Sequence, residues 1–295
     1  LNKRAKSQLD KKYNITGWLF TAFSIILIIT FVFYPMVQAL ITSLKSGMGN
    51  NLKFAGLMNY RKLFSDATFV KAVENTLIYL VVQVPIMILL ALFISVLLND
   101  KNLKGKSFFR TAIFLPCVTS LVAYSVIFKS LFSNDGLMNK ILINLNIISS
   151  PIQWLTNSFW AKIVIIIAIT WRWTGYNMIF YLAGLQNIDP SIYEAAKIDG
   201  ASSSNQFFKI TIPLLKPIIL FTTITSTIGT LQLFDEVMNI TKGGPGNATI
   251  TISQYIYNLS FKYNSNFGYA AAVSYVILIM IVILSLIQFK VAGDD

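Results

Sequence analysis

Asp189-Pro190-Ser191-Ile192-Tyr193-Glu194-Ala195-Ala196-Lys197-Ile198-Asp199-Gly200 is a short polar-ended stretch set between two long apolar ones. Its punctuation is that of a capped helix. Asp189 has the side chain of an N-cap, Pro190 fits the first helical position, where no N–H is needed, and Gly200 supplies a left-handed stop. Ser203 to Gln206 is then a Ser-x-x-Gln capping box that opens a second short helix, expected to end before Pro213. Two brief helices between long apolar runs have little use inside a bilayer. They make sense as a docking surface outside it.

The composition around this stretch supports a membrane chain. Of 295 residues, 55% are hydrophobic and only 12% charged, with a mean hydropathy of +0.64. A soluble domain carries about a quarter charged residues, so the deficit places the chain in the membrane class. The net charge of +12 raises the question of nucleic acid, but the basic residues lie between apolar runs and form no stripe. With no histidine and one cysteine, Cys117, disulfide scaffolds and most zinc sites are excluded. Gly105-Lys106-Ser107 has the end of a phosphate-binding loop, but Asp100 stands where that motif needs its first glycine.

Apolar runs predict about six spans, near 15–41, 75–98, 111–132, 159–185, 213–234 and 268–289. Residues 1–14 form a basic tail before a single transmembrane domain over 15–295, and 186–212 form an intervening loop. The first run is too long for a signal-peptide core, although Val37-Gln38-Ala39 faintly resembles a cleavage box. Pro35, Pro85 and Pro116 interrupt the first three spans, and Pro35 is expected to kink the first. Residues 45–74 mix Phe54, Leu57, Tyr60, Leu63 and Phe64 with Arg61, Lys62 and Asp66, which suggests a short amphipathic helix at the interface, with a plain loop as the alternative. If the N-terminus is cytoplasmic, thirteen Lys and Arg lie inside against ten outside, a weak positive-inside bias. Both termini and the 189–200 stretch then face the cytoplasm.

The pattern Glu194-Ala195-Ala196-x3-Gly200-x9-Ile210-x-Ile212-Pro213 resembles the EAA signature of ABC-importer permeases. Trp171-Arg172-Trp173-Thr174-Gly175-Tyr176 through Gly184-Leu185-Gln186 resembles their carbohydrate branch, as does Phe234-Asp235 with Thr241-Lys242-Gly243-Gly244-Pro245. The likeness covers nearly all six spans. Ile212 departs from the usual Leu before Pro, conserving bulk. The short C-terminus and the long first loop liken the chain to the MalF half of a pair rather than the MalG half.

What the resemblance implies is an all-α polytopic membrane protein with the type I ABC-importer permease fold, in the bacterial inner membrane. Glu194, Ala195, Ala196, Asp199 and Gly200 would then belong to a cytoplasmic coupling helix seated on an ATPase. The chain would be no enzyme and bind no cofactor, with ATP and Mg held by the partner. Its partners would be a second, MalG-like permease subunit, two ATP-binding subunits, membrane lipids and an extracytoplasmic sugar-binding protein, periplasmic or a lipoprotein, with no nucleic acid.

Sugar recognition needs aromatic platforms and neutral hydrogen-bonding groups within a mostly apolar cavity. The fourth span offers Trp173, Thr174, Gly175, Tyr176, Asn177 and Met178, and the fifth offers Thr230, Gln232 and Asp235. The resemblance places sugar contacts in these two regions, although Trp and Tyr near span ends also form interfacial belts. Thr119 and Ser120 are weaker candidates that suit helix–helix hydrogen bonds. Arg172, charged within a span, needs a partner, for which Asp235 and Glu236 are the candidates by type. A permease for another small solute, such as an amino acid or a polyol, is the nearest alternative. A secondary transporter would need intramembrane carboxylates that these spans hardly carry.

Overall fold

The computed structural model describes residues 3–49, 51–100 and 102–293. Lys101, one of the inner-loop charges, lies outside them. The helices in chain order are α1 (Lys3–Ile28), α2 (Tyr34–Ser43), α3 (Met58–Leu63), α4 (Ala67–Asn99), α5 (Lys106–Val118), α6 (Leu121–Leu131), α7 (Leu137–Asn144) and α8 (Ser158–Gln186). Then follow α9 (Pro190–Ile198), α10 (Ser203–Gln206), α11 (Ile212–Leu231), α12 (Asp235–Ile240), α13 (Ile252–Tyr257) and α14 (Phe267–Gly293). A two-residue antiparallel ladder, β1 (Lys45–Ser46) with β2 (Lys53–Phe54), is the one sheet among the described residues. Among the described residues, five helices are long and apolar enough to cross a bilayer, and six if the bent pair α5–α6 counts as one span.

The chain divides into two compact units, one running up to Lys62 with Leu259–Tyr275, the other Leu63–Asn258 with Val276 onward. In the first, a turn of π-helix at Ile29–Phe33 joins α1 to α2, and Pro35 sits in the opening turn of α2. The wider π turn lets the helix pass a residue that cannot donate a backbone hydrogen bond. Residues 45–74 are not one amphipathic helix. They hold the β1–β2 hairpin, the six-residue α3 and the opening of α4, because Gly47, Gly49 and Gly56 punctuate the segment with positive φ angles. Buried Asn59 ties the hairpin down, its amide donating to the carbonyls of Ser43 and Lys45 at 2.8 Å. The apolar side chains of Phe54 and Phe64 stay exposed.

In the second unit α8 is the central helix, paired most extensively with α4 and also touching α5, α11 and α12. Ala161, Ala168 and Gly175 recur every seven residues along it and are all buried, so side-chain bulk is missing from one face at every second turn. A Cβ on Gly175 would collide with the backbone carbonyl of Ile113 in α5. Small residues that let backbones approach are the usual means of packing helices where lipid removes the hydrophobic drive.

Three prolines act differently from the sequence expectation, the first being Pro85, through which α4 runs unbroken. The run from Thr111 to Phe132 is broken between α5 and α6 by a 100° bend. Thr119 and Ser120 are extended there, and the Thr119 hydroxyl donates to the Leu115 carbonyl at 2.8 Å, competing with the helix just after Pro116. Conversely, the helix opened at Ser203 does not end before Pro213. It continues through a π turn at Phe207–Thr211 into α11, so Ser203–Leu231 is one helical rod.

The loop between α6 and α8 is held by one side chain. Asn139, 1% exposed, donates to the carbonyls of Asn134 and Ile152 at 3.0 Å and accepts from Ile152 N and Trp154 Nε1 at 3.1 and 2.8 Å. Replacing it with alanine strands a buried indole N–H and a backbone N–H. At about 1–3 kcal/mol for each unmet group, Asn139→Ala is expected to cost about 3 kcal/mol and to lower the heat-unfolding midpoint of the purified protein by several degrees.

Candidate functional site

Three features of the second unit bear on function: a capped elbow, a cavity and a buried ion pair. The elbow is α9. Asp189 Oδ1 accepts from Ser191 N at 2.9 Å, and that bond holds the carboxyl below the usual carboxylate range. Gly200, at φ +77°, closes the helix with paired bonds from Gly200 N to Lys197 O and from Ala201 N to Ala196 O, at 3.1 and 2.9 Å. Between the caps, Glu194 and Ala195 are exposed and Ala196 half-buried, and Asp199 and Gly200 form the exposed exit. Ile192 and Ile198 also point outward, Ile198 at 86% exposure. The Tyr193 hydroxyl is hydrogen-bonded to Thr211 Oγ1 at 2.9 Å, linking the elbow to the π turn at the foot of α11.

The cavity lies between α4, α8 and α11, with a volume of about 150 Å³. Trp173, Tyr176 and Ile169 line it from α8, and Gln83 and Met87 from α4. Thr225, Ser226, Gly229 and Thr230 line it from α11, with Leu233 just beyond. Helical geometry explains which expected residues reach it. Six consecutive residues cannot share one helix face, and Ile169, Trp173 and Tyr176 are the ones spaced to do so.

The remaining expected residues of the path turn elsewhere. The Thr174 hydroxyl donates to the Thr170 carbonyl at 2.6 Å, on the face towards Ile113 of α5. Gly175 is the α5 crossing point, and Met178 is fully buried in the α4–α8 core. Asn177, 1% exposed, donates to Trp173 O and towards Met87 Sδ at 3.0 and 3.3 Å. Gln232 and Asp235 are exposed beyond the end of α11. Thr119 and Ser120 form the α5–α6 bend. Thr230, expected from sequence, does line the cavity, whereas Thr225 and Ser226 beside it were missed, although their helical spacing next to Gly229 was there to be read. Gln83 gave no signal of its own.

Arg172 donates from Nη1 to Glu236 Oε1 at 3.0 Å, with side-chain exposures of 13% and 4%. Its guanidinium also lies 5.3 Å from the Trp173 ring and 5.9 Å from that of Tyr124. Asp235 is not part of the pair. It occupies the first position of α12 and faces outward, whereas Glu236 shares the inward face with Val237 and Ile240. The pair ties the middle of α8 to α12. Removing one partner leaves a buried charge, so Glu236→Ala is expected to destabilise by about 3–5 kcal/mol, while the double change Arg172→Met with Glu236→Leu restores most of it. Thermal unfolding of the purified single and double variants checks this.

Comparison with known proteins fits this geometry. Residues 54–291 match the family model described as binding-protein-dependent transport system inner membrane component. The lactose transport system permease protein LacF of Rhizobium radiobacter is 60% identical over 260 residues, covering 88% of this chain and 87% of LacF. The arabinooligosaccharides transport system permease protein AraP of Halalkalibacterium halodurans is 37% identical over 228 residues, covering 76% of this chain and 71% of AraP. In fold, the chain matches a subunit in the crystal structure of a bacterial ABC transporter involved in the import of the acidic polysaccharide alginate. The TM-score is 0.83, with 99% of both chains covered at 21% identity. The all-α polytopic fold is therefore that of a type I ABC-importer permease, a transport subunit of the inner membrane that works with a separate ATPase, which binds the ATP and Mg, and with a solute-binding protein. This chain belongs to the family of binding-protein-dependent transport system inner membrane components, the permeases of ABC importers.

Proposed function

We propose that this chain is the MalF-like half of the translocation path of an ATP-driven importer of neutral sugars, from disaccharides to short oligosaccharides. The observation that carries the reading is the elbow at 189–200, capped at both ends and turning Ile192 and Ile198 outward between two membrane spans. Exposed apolar side chains on a rigid surface helix suit a protein partner, and an ATPase subunit seated there would cover them. Ala195 and Ala196 allow close approach, and Glu194 is free to meet a basic residue on that partner. The domain runs as one transmembrane permease from residue 15, after a cytoplasmic tail over 1–14, and both termini face the cytoplasm, in keeping with the bias of basic residues.

A push on α9 has a defined route. The Tyr193–Thr211 hydrogen bond hands it to the π turn, and α11 carries it as a rod to Thr225, Ser226 and Thr230 in the cavity wall. A π turn is a place where a helix changes its winding at low cost, which suits a joint at the foot of a moving span.

The names of the relatives, a lactose permease and an arabinooligosaccharide permease, support a sugar as solute. The lining supports it chemically: two aromatic rings for C–H faces, with hydroxyls and an amide for sugar hydroxyls. At about 150 Å³ the cavity is smaller than the ~300 Å³ or more typical of small-molecule sites, in keeping with a second, MalG-like permease subunit supplying the other wall. The remaining partners are two ATPase subunits and an extracytoplasmic sugar-binding protein.

Uptake of labelled lactose and of arabinooligosaccharides, in cells expressing the chain with its partner permease, ATPase and binding protein, tests the reading. Import of amino acids with no sugar uptake would overturn it. Gly200→Trp forces a bulky side chain into a left-handed conformation on the docking face, at about 1–2 kcal/mol of backbone strain. The complex is expected to assemble while binding-protein-stimulated ATP hydrolysis is disconnected from uptake. If uptake and stimulated hydrolysis both survive, residues 189–200 are not the coupling element. Tyr193→Phe removes only the hydroxyl and is expected to lower sugar imported per ATP hydrolysed.

A further inference from the structure

Gln83 lies on α4, in the second span, away from the regions that the signature residues mark. It is 2% exposed, and its carboxamide forms part of the cavity wall. Its Oε1 accepts from Thr230 Oγ1 at 3.2 Å, whereas among the described residues its Nε2 reaches only the thioether sulfur of Met87, also at 3.2 Å. Asn177 donates to the same sulfur at 3.3 Å, and its Oδ1 is buried without a hydrogen-bond partner among the described residues. Two buried amides thus share one thioether, which is a weak acceptor. At this depth in a membrane, an amide that lacks full partners is costly, and polar groups kept there despite the cost mark function more often than structure.

Resting on the sugar-import reading above, we propose that Gln83 is a specificity-determining residue of the transport path, donating from Nε2 to a hydroxyl oxygen of the passing sugar. Three features orient it. Thr230 holds the amide oxygen, which fixes the amide plane and leaves the N–H groups as the free edge. That fixing also commits the Thr230 proton, so the Thr230 oxygen is left as an acceptor for a sugar O–H. Trp173 and Tyr176 stand in the same wall, their rings in an edge-to-face contact at 5.6 Å, and supply apolar faces beside the polar edge. The contact with Met87 is weak enough for a sugar hydroxyl to replace it without loss.

The rival role is structural, an amide serving only to join α4 to α11, and the test separates the two. The complete importer, with partner permease, ATPase and binding protein, is reconstituted in proteoliposomes carrying wild-type, Gln83→Leu or Gln83→Asn chains. Maximal uptake of lactose and of a trisaccharide is measured at saturating binding protein, per assembled complex, alongside stimulated ATP hydrolysis. Losing one directed hydrogen bond is expected to lower lactose uptake in Gln83→Leu about tenfold and to change the ratio between the two sugars. ATP hydrolysis is expected to stay near wild type, and Gln83→Asn to recover part of the ratio. If uptake of both sugars falls only in proportion to assembled complex, or if rates and ratio stay at wild type, Gln83 reads no solute and the proposal fails. A wild-type importer that moves no sugar at all would instead overturn the functional reading on which it rests.

Discussion

The second unit depends on how closely other helices can approach α8. In lipid there is no water to expel between helices, so association rests on packing and on hydrogen bonds across the interface. The stripe of Ala161, Ala168 and Gly175 removes side-chain bulk at every second turn, and Gly175 brings the α5 backbone against that of α8. Because that face is spent on packing, the adjoining face of α8, about 100° round the helix and carrying Ile169, Trp173 and Tyr176, is left to line the cavity. One constraint thus decides both the fold around α8 and which of its aromatic residues a solute could meet.

Some polar side chains inside this scaffold fasten one element to another, and others beside the cavity meet only a weak acceptor. Asn139 meets five partner groups, and the Arg172–Glu236 pair fastens α8 to α12. Asn75 of α4 likewise donates to the carbonyls of Asn247 and Ile250, fixing the turn that follows α12. At the cavity, by contrast, Gln83 and Asn177 share the sulfur of Met87. Side chains that fasten helices together and a cavity wall with only a weak acceptor for its amide N–H groups thus stand in one scaffold.

Both π turns that precede a proline, at Ile29–Phe33 and Phe207–Thr211, allow an apolar helix to continue past a residue that would otherwise end it. The second lies directly behind the elbow and is tied to it through Tyr193 and Thr211. Elbow, π turn and rod are therefore contiguous along residues 189–231, and the rod ends beside the cavity.

Much of this was legible in the amino-acid order. Apolar runs locate the spans because a bilayer demands about twenty such residues, and Asp189 and Gly200 locate α9 because capping chemistry is local. A charge at Arg172 announced the need for a partner. Local chemistry could not choose that partner, since Asp235 and Glu236 are adjacent carboxylates and only the phase of the six-residue α12 turns one inward. Nor could it separate cavity-lining residues from packing ones within Trp173–Met178, which depends on where α4, α5 and α11 cross α8. The bend at Thr119–Ser120 and the contribution of Gln83 belong to the same class. What depends on a residue and its neighbours in the chain was determined by sequence alone. What depends on which helix lies opposite was decided by tertiary packing, because a helix has a face only once something is set against it.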